Sequence, residues 1–123
     1  MVKQGRFYDE QSGHVLWPEV RVMDYFPQRL VGMLYHKLPP ADVAFWFPRC
    51  RTIHTWGMRF PIQVIGLDSE YRVLAVHPQV PPGQVVRIAG ADSMIECCAS
   101  IVLDCPLWVG QQLQFRWSEQ VNE

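Results

Sequence analysis

The segment from residue 62 to residue 76 constrains the fold of this chain more than any other. Residues 62–67 read IQVIGL, residues 72–76 read RVLAV, and the short polar segment 68–71 between them is typical of a β-hairpin loop. In the first strand, Ile62 and Val64 face one side, and Ile65 and Leu67 face the other. Because both sides are apolar, we expect this hairpin to be covered on both faces, inside a sandwich or a closed barrel.

A helix is predicted over about residues 27–36, the one segment with helical periodicity. Asp24 can cap its start, Pro27 suits a first turn, and Phe26, Leu30, Met33 and Leu34 recur at a spacing close to 3.6.

Two edge elements or an early hairpin are expected within residues 1–19, and three prolines make 77–83 a stiff extended connection. Further strands are predicted at 20–23, 42–47, 85–88, 93–99 and 113–117. The fold class expected is mainly β, an antiparallel sandwich or partly open barrel with one short helix.

Composition limits the classes of partner. The chain has 123 residues, which predicts a single domain over 1–123, and 49% of them are apolar. Its formal net charge of −1 provides no basic surplus, so neither nucleic acid nor a membrane surface is an expected partner. The polar first 13 residues lack the apolar core of a signal peptide, and no apolar run approaches the roughly 20 residues that span a bilayer. We therefore expect a cytoplasmic location and reduced cysteines.

The segment 54–60, HTWGMRF, precedes the central hairpin and fits no regular strand. A loop or bulged strand there would bring His54, Trp56, Met58 and Arg59 to one end of the hairpin. Glu96, in an otherwise apolar strand, is expected nearby. These five residues are the candidate ligand-binding site, a semi-open groove in a non-catalytic binding domain. The expected occupant is a protein segment or a small anionic ligand.

Two alternatives assign the site a different function. A metal-dependent or acid/base hydrolase would use His54 with Glu96. A structural module of a larger assembly would instead recognise its partner through an exposed strand edge. For Arg59 and Glu96, an internal ion pair is the preferred expectation, because an unpaired buried carboxylate is costly. The other hypothesis turns Arg59 outward to hold a carboxylate or phosphate.

Neither a metal site nor a cysteine nucleophile is predicted. His54 and His77 can meet at one end of the hairpin while Asp68 lies at the far end, and two histidines fall short of the usual ligand set of zinc. Cys97 and Cys98 point to opposite faces of a strand and are expected to be small buried apolar groups. No catalytic residue, cofactor or metal is therefore assigned.

Three segments resemble a known family. They are residues 29–34, RLVGML; residues 54–62, HTWGMRFPI, followed by Val64 and residues 67–68; and residues 94–96, MIE, with residues 107–110, LWVG. Together they resemble the domain of unknown function 192 family over about residues 20–117. The resemblance implies a mainly β sandwich or barrel and no established activity.

Three positions depart from the family pattern. Gln63 and Gln111 stand where the family has Asp, and Ser100 stands where it has Gly. If the acid at position 63 served as a general base or metal ligand, an amide could not replace it at neutral pH. If the acid only satisfied backbone groups or an arginine, Gln could partly substitute. Gln63 therefore argues against enzymatic activity of this chain.

Overall fold

The fold is mainly β, as the sequence predicts. The computed structural model describes residues 3–24, 42–99 and 106–118. These ranges contain strands and no helix, and the helix predicted over 27–36 lies outside them. The strands are β1 (Lys3–Asp9), β2 (Val15–Val22), β3 (Val43–Pro48), β4 (Thr52–His54), β5 (Ile62–Leu67), β6 (Val73–Val80), β7 (Val85–Arg87), β8 (Ser93–Cys98) and β9 (Leu113–Trp117).

Seven strands form one curled sheet in the order β6-β5-β8-β3-β2-β1-β9, and β4 pairs with β7 in a small second sheet. Every pairing among these strands is antiparallel except that between β2 and β3, which corrects the expectation of a wholly antiparallel domain. A parallel pair needs a crossover connection of about a dozen residues or more, and the stretch 23–42 between β2 and β3 is long enough to supply it.

The central hairpin is covered on both faces, as its apolar pattern predicts. Ile65 and Leu67 of β5 belong to one core, and Ile62 and Val64 belong to another on the opposite face. The first core fills the concave side of the curled sheet around Phe7, Trp17 and Trp46. The second core lies between β3, β5 and β8 and the small β4–β7 sheet. The hairpin therefore separates two hydrophobic layers.

The curled sheet is a half-barrel whose two edge strands meet at one end. At the start of β6, Val73 donates its N–H to Gln111 O (2.9 Å), and Leu113 of β9 donates to Tyr71 O (3.0 Å). A bridge between Arg72 and Gln112 continues this contact between the two edge strands. β6 also extends to Val80, into the segment predicted to be a connection. The missing N–H of Pro78 is tolerated there because β6 is an edge strand.

Gly5 allows β1 and β9 to approach closely, which leads to a prediction. A Cβ at this position would lie 2.5 Å from the carbonyl oxygen of Arg116 and against the ring of Phe115. Gly5→Ala is therefore expected to lower the free energy of unfolding by about 1–3 kcal/mol through overpacking. Urea denaturation measures the change, and Gln4→Ala, at the exposed neighbouring position, is the control. Equal stability of the two variants would contradict the close approach.

Candidate ligand-binding groove

The segment 54–60 is only partly exposed. β4 ends at His54, after Ile53 has been buried in the second core. Trp56 follows with 57% of its surface exposed, and its ring packs on the His54 imidazole with centroids 4.8 Å apart and planes tilted by 34°. The antiparallel pairing of β4 with β7 sets Val85, also 57% exposed, directly opposite His54. These three residues, the His54–Trp56–Val85 patch, form an apolar and aromatic surface.

Thr55 attaches this segment to the turn that precedes β7. Its hydroxyl donates to Pro81 O (2.8 Å) and accepts from the Gln84 N–H (2.9 Å). Its backbone N–H donates to Gln84 O (2.8 Å), and its carbonyl accepts from Gly83 N–H (3.0 Å). Thr55 is fully buried, so these bonds are protected from competition by water. The turn 81–84 is therefore held in one position relative to His54 and Trp56.

A groove of about 420 Å³ opens beside the patch. Residues 77–81, from the end of β6, line one side, and residues 84–87, including β7, line the other. Its surface combines apolar Pro78, Pro81 and Val85 with the amide side chains of Gln79 and Gln84. His77 and Arg87 are its ionisable groups. This volume lies within the range of about 300–1,000 Å³ that is common for ligand sites.

The five residues predicted as a site do not all reach one surface. His54 and Trp56 are stacked together at the patch. Arg59 is exposed, whereas Met58 is buried in the second core between the two sheets. Glu96 is fully buried in β8, where its cross-strand neighbours are Phe45 and Val64 of the same core.

The expected ion pair between Arg59 and Glu96 is not formed, and this prediction was wrong. Both carboxyl oxygens of Glu96 are buried without a hydrogen-bond partner among the residues described. Burial raises the pKa of Glu96 to about 8, because the charged form loses its hydration in an apolar core. A protonated, neutral carboxyl group explains how an acid is tolerated there. The acid/base pair of His54 and Glu96 is not formed either, since neither Glu96 oxygen is bonded to the imidazole.

The structure also shows the surroundings of the other residues considered for chemistry. Within residues 3–24, 42–99 and 106–118, no group of three His, Cys, Asp or Glu residues is arranged to hold a metal ion. Burial raises the pKa of the Cys97 thiol to about 12, which keeps it protonated and weakly nucleophilic. The side-chain amide of Gln63 in β5 donates a hydrogen bond to Cys97 Sγ (3.3 Å), which links β5 to the neighbouring strand β8. The described ranges contain no helix of the length and apolarity that would cross a membrane.

Sequence reasoning missed a buried polar network at the joined end of the half-barrel. The Gln111 amide donates to Asp9 Oδ1 (3.1 Å), and the Ser12 hydroxyl donates to Asp9 Oδ2 (2.6 Å). The Ser12 and Gln111 bonds hold the pKa of Asp9 below its usual value. The aspartate that the resemblance implies at position 111 would place a second carboxylate against Asp9. Gln111 avoids this repulsion and donates a hydrogen bond to Asp9 instead.

The sequence analysis also did not identify the residues that line or support the groove. Thr55 carries no sequence signal beyond its place in the family-like motif, and the contributions of Val85 and Arg87 depend on the pairing of β4 with β7. No local pattern indicates this clamp, because the backbone groups that bond the Thr55 hydroxyl lie 26 and 29 residues further along the chain.

Fold and groove together define a small half-barrel β-domain with a surface groove between an edge strand and an accessory two-stranded sheet. The chain belongs to the DUF192 family (uncharacterised ACR, COG1430), whose model matches residues 8–115. A comparison with curated proteins yields no significant match.

Two crystal structures share the fold. A protein of unknown function from Novosphingobium aromaticivorans superposes with a TM-score of 0.69 at 13% identity, over 92% of this chain and 84% of that one. A protein from Sinorhizobium meliloti, described as "a putative transcription regulator", superposes with a TM-score of 0.67 at 17% identity, over 94% of both chains. At these identities the likeness extends to the fold alone.

Proposed function

We propose that this chain is a non-catalytic binding domain that holds an extended protein segment in the groove between β6 and β7. The observation that carries the proposal is the His54–Trp56–Val85 patch, which shares Val85 with the lining of that groove. An exposed tryptophan that is already stacked in place loses little conformational freedom on binding, and tryptophan is enriched among the residues that dominate interface energies.

The chemistry of the groove suits a polypeptide. The amides of Gln79 and Gln84 can donate to and accept from a peptide backbone, while Pro78, Pro81 and Val85 offer apolar contacts to its side chains. β6 is an edge strand of the large sheet, so its outer side is a second source of backbone hydrogen-bonding groups. A rigid clamp at Thr55 supports the proposal further, because a preorganised groove binds at lower entropic cost.

A small anion is less suited to this groove, where Arg87 is the one arginine and His77 the one histidine among the described lining residues. Hydrolysis is less suited for a separate reason. The carboxyl group of Glu96 is enclosed in the second core, and it makes no hydrogen bond to His54 that would form an acid/base pair. The first consideration favours a peptide over a small anion, and the second favours binding over hydrolysis.

Selection from a displayed library of random linear peptides, followed by titration of the selected peptides, tests the proposal. Peptides that combine apolar side chains with an extended conformation should be enriched. Trp56→Ala should then weaken their binding at least about tenfold, because it removes a hot-spot aromatic from the patch. Trp108→Ala is the matched control, since Trp108 is 43% exposed on the loop before β9 and does not line the groove.

Two results would contradict the proposal. One is a selection that enriches no peptide above the background of an unrelated β-domain. The other is an equal loss of binding in Trp56→Ala and Trp108→Ala, which would indicate non-specific contact with exposed tryptophans. Chemical-shift changes on binding should centre on the His54 ring and on the backbone of residues 77–87.

A further inference from the structure

A second cleft, distinct from the groove of the proposed function, lies where β1 and β9 pair. It has a volume of about 330 Å³ and is lined by Arg6, Tyr8, Arg116, Trp117 and Ser118. In β1 the odd-numbered residues from Gly5 to Asp9 are buried, so Arg6 and Tyr8 point to the opposite, open side of the sheet. The small β4–β7 sheet packs against β3, β5 and β8 rather than against β1 and β9, and both Arg6 and Arg116 are exposed.

Arg6 and Arg116 are directly opposite each other in the antiparallel β1–β9 ladder. The Cβ atoms of directly opposite residues are about 4.5–5.5 Å apart, and like charges on such residues repel each other. Neither arginine forms an ion pair in the described parts of the chain, where the salt bridges are Lys3–Asp24 and Arg21–Glu19. The repulsion is therefore uncompensated within those ranges.

The two guanidinium groups are also partly oriented. Arg116 lies over the ring of Tyr8, with its central carbon 5.3 Å from the ring centroid. This cation–π contact limits the rotamers of Arg116 and holds its donors over the cleft. On the neighbouring strand, the carboxylate of Glu19 accepts from Arg21 Nε (2.8 Å) and is engaged there. Among the described residues, none with an acidic side chain lines the cleft.

We propose that this cleft binds a phosphate group, held between Arg6 and Arg116. Two guanidinium groups on adjacent strands match the bidentate geometry that arginine makes with phosphate oxygens. A phosphate dianion cancels the repulsion between the two arginines, so the protein gains more from it than from a single-charged anion. The Ser118 hydroxyl and the Tyr8 phenol are further donors on the wall. Trp117 is also part of the wall, but it pairs with Gly5 and packs its ring on Phe115, so its ring lies on the other face of β9 from the two arginines.

Calorimetric titration with inorganic phosphate and with adenosine monophosphate tests this inference. Both should bind the wild-type chain, and Arg6→Gln and Arg116→Gln should each weaken binding at least about tenfold, the loss expected for one charge-assisted hydrogen-bonding partner. Arg51→Gln, which changes an exposed arginine away from the cleft, should leave the affinity unchanged. Both cleft variants should fold with wild-type stability or better, because they remove a repulsive pair.

The two probes distinguish the source of the phosphate. Tighter binding of adenosine monophosphate than of inorganic phosphate would assign the cleft to a phosphate monoester. Equal affinities would assign it to free phosphate. The proposal is overturned if neither probe binds, or if Arg6→Gln, Arg116→Gln and Arg51→Gln all bind as wild type does. Neither result bears on peptide binding in the groove beside β7.

Discussion

Glu96→Gln is expected to make the protein more stable than wild type by about 3 kcal/mol at pH 7, and by up to about 5 kcal/mol above pH 8. The reason is linkage: the pKa of Glu96 is about 8 in the folded chain, against an ordinary value of 4.5. Between these two values the folded state binds a proton that the unfolded state has lost. The free energy of unfolding therefore falls as pH rises, by about 1.4 kcal/mol per pH unit.

The sign of this dependence is specific. The contribution of the protonated Glu96 is fully present below pH 4.5 and is lost as pH rises through the folded pKa of about 8. The amide that replaces the carboxyl group in Glu96→Gln cannot ionise, so the difference between variant and wild type should grow with pH and then level off. The other titratable groups are the same in both proteins, so their contributions cancel in the difference between the two free energies of unfolding. Urea denaturation of both proteins from about pH 5 to pH 9 measures it.

Glu70→Gln is the control for the removal of one carboxylate, since Glu70 is exposed on the hairpin loop. Its stability relative to wild type should change little over the same pH range. A pH-independent difference for Glu96→Gln would mean that Glu96 is ionised in the folded chain and paired with a cation from outside the described ranges.

Thr55→Val is expected to lower the free energy of unfolding by about 2–4 kcal/mol. The substitution keeps the shape of the side chain but removes the hydroxyl that donates to Pro81 O and accepts from the Gln84 N–H. Each partner left unsatisfied costs about 1–3 kcal/mol where water does not replace the lost bond. Urea denaturation measures the loss.

Thr52→Val is the matched control because Thr52 is exposed on the same strand-and-loop segment, and its change should alter stability by less than about 0.5 kcal/mol. Amide exchange at Gln84 gives a second measurement, since its N–H loses the Thr55 acceptor and should exchange at least about tenfold faster. If Thr55→Val and Thr52→Val behave alike in both measurements, Thr55 does not position the groove.

The sequence predicted a strand accurately where the alternation of apolar and polar residues lies within one short segment. β5 and β9 begin and end at the residues predicted, because the alternation of apolar side chains is a property of a few consecutive positions. The tryptophans differ in exposure, since Trp56, Trp108 and Trp117 are exposed while Trp17 and Trp46 are buried. The parallel pairing of β2 with β3 could not be predicted in this way, because strand direction depends on how a distant connection crosses the sheet.

The candidate site was harder to predict than the strands. The sequence indicates that His54 and Trp56 lie next to the central hairpin, and the structure stacks them there. It does not indicate that Met58, two residues further on, turns into the core, because the loop has no regular period from which a side chain's direction follows. The pairing of Arg59 with Glu96 failed for the same reason: it assumed a proximity that neither residue's local pattern encodes.

By itself, the sequence determined a mainly β fold, a hairpin covered on both faces, membership of a family and an aromatic segment beside the hairpin. These follow from periodicity and turn chemistry, which act between residues a few positions apart. Only the tertiary structure decided that Val85 joins His54, that Thr55 clamps the turn before β7, that Arg6 faces Arg116, and that Glu96 is enclosed in an apolar core. Each of these depends on strands distant in sequence meeting at a particular register, and register is set by the packing of the whole sheet.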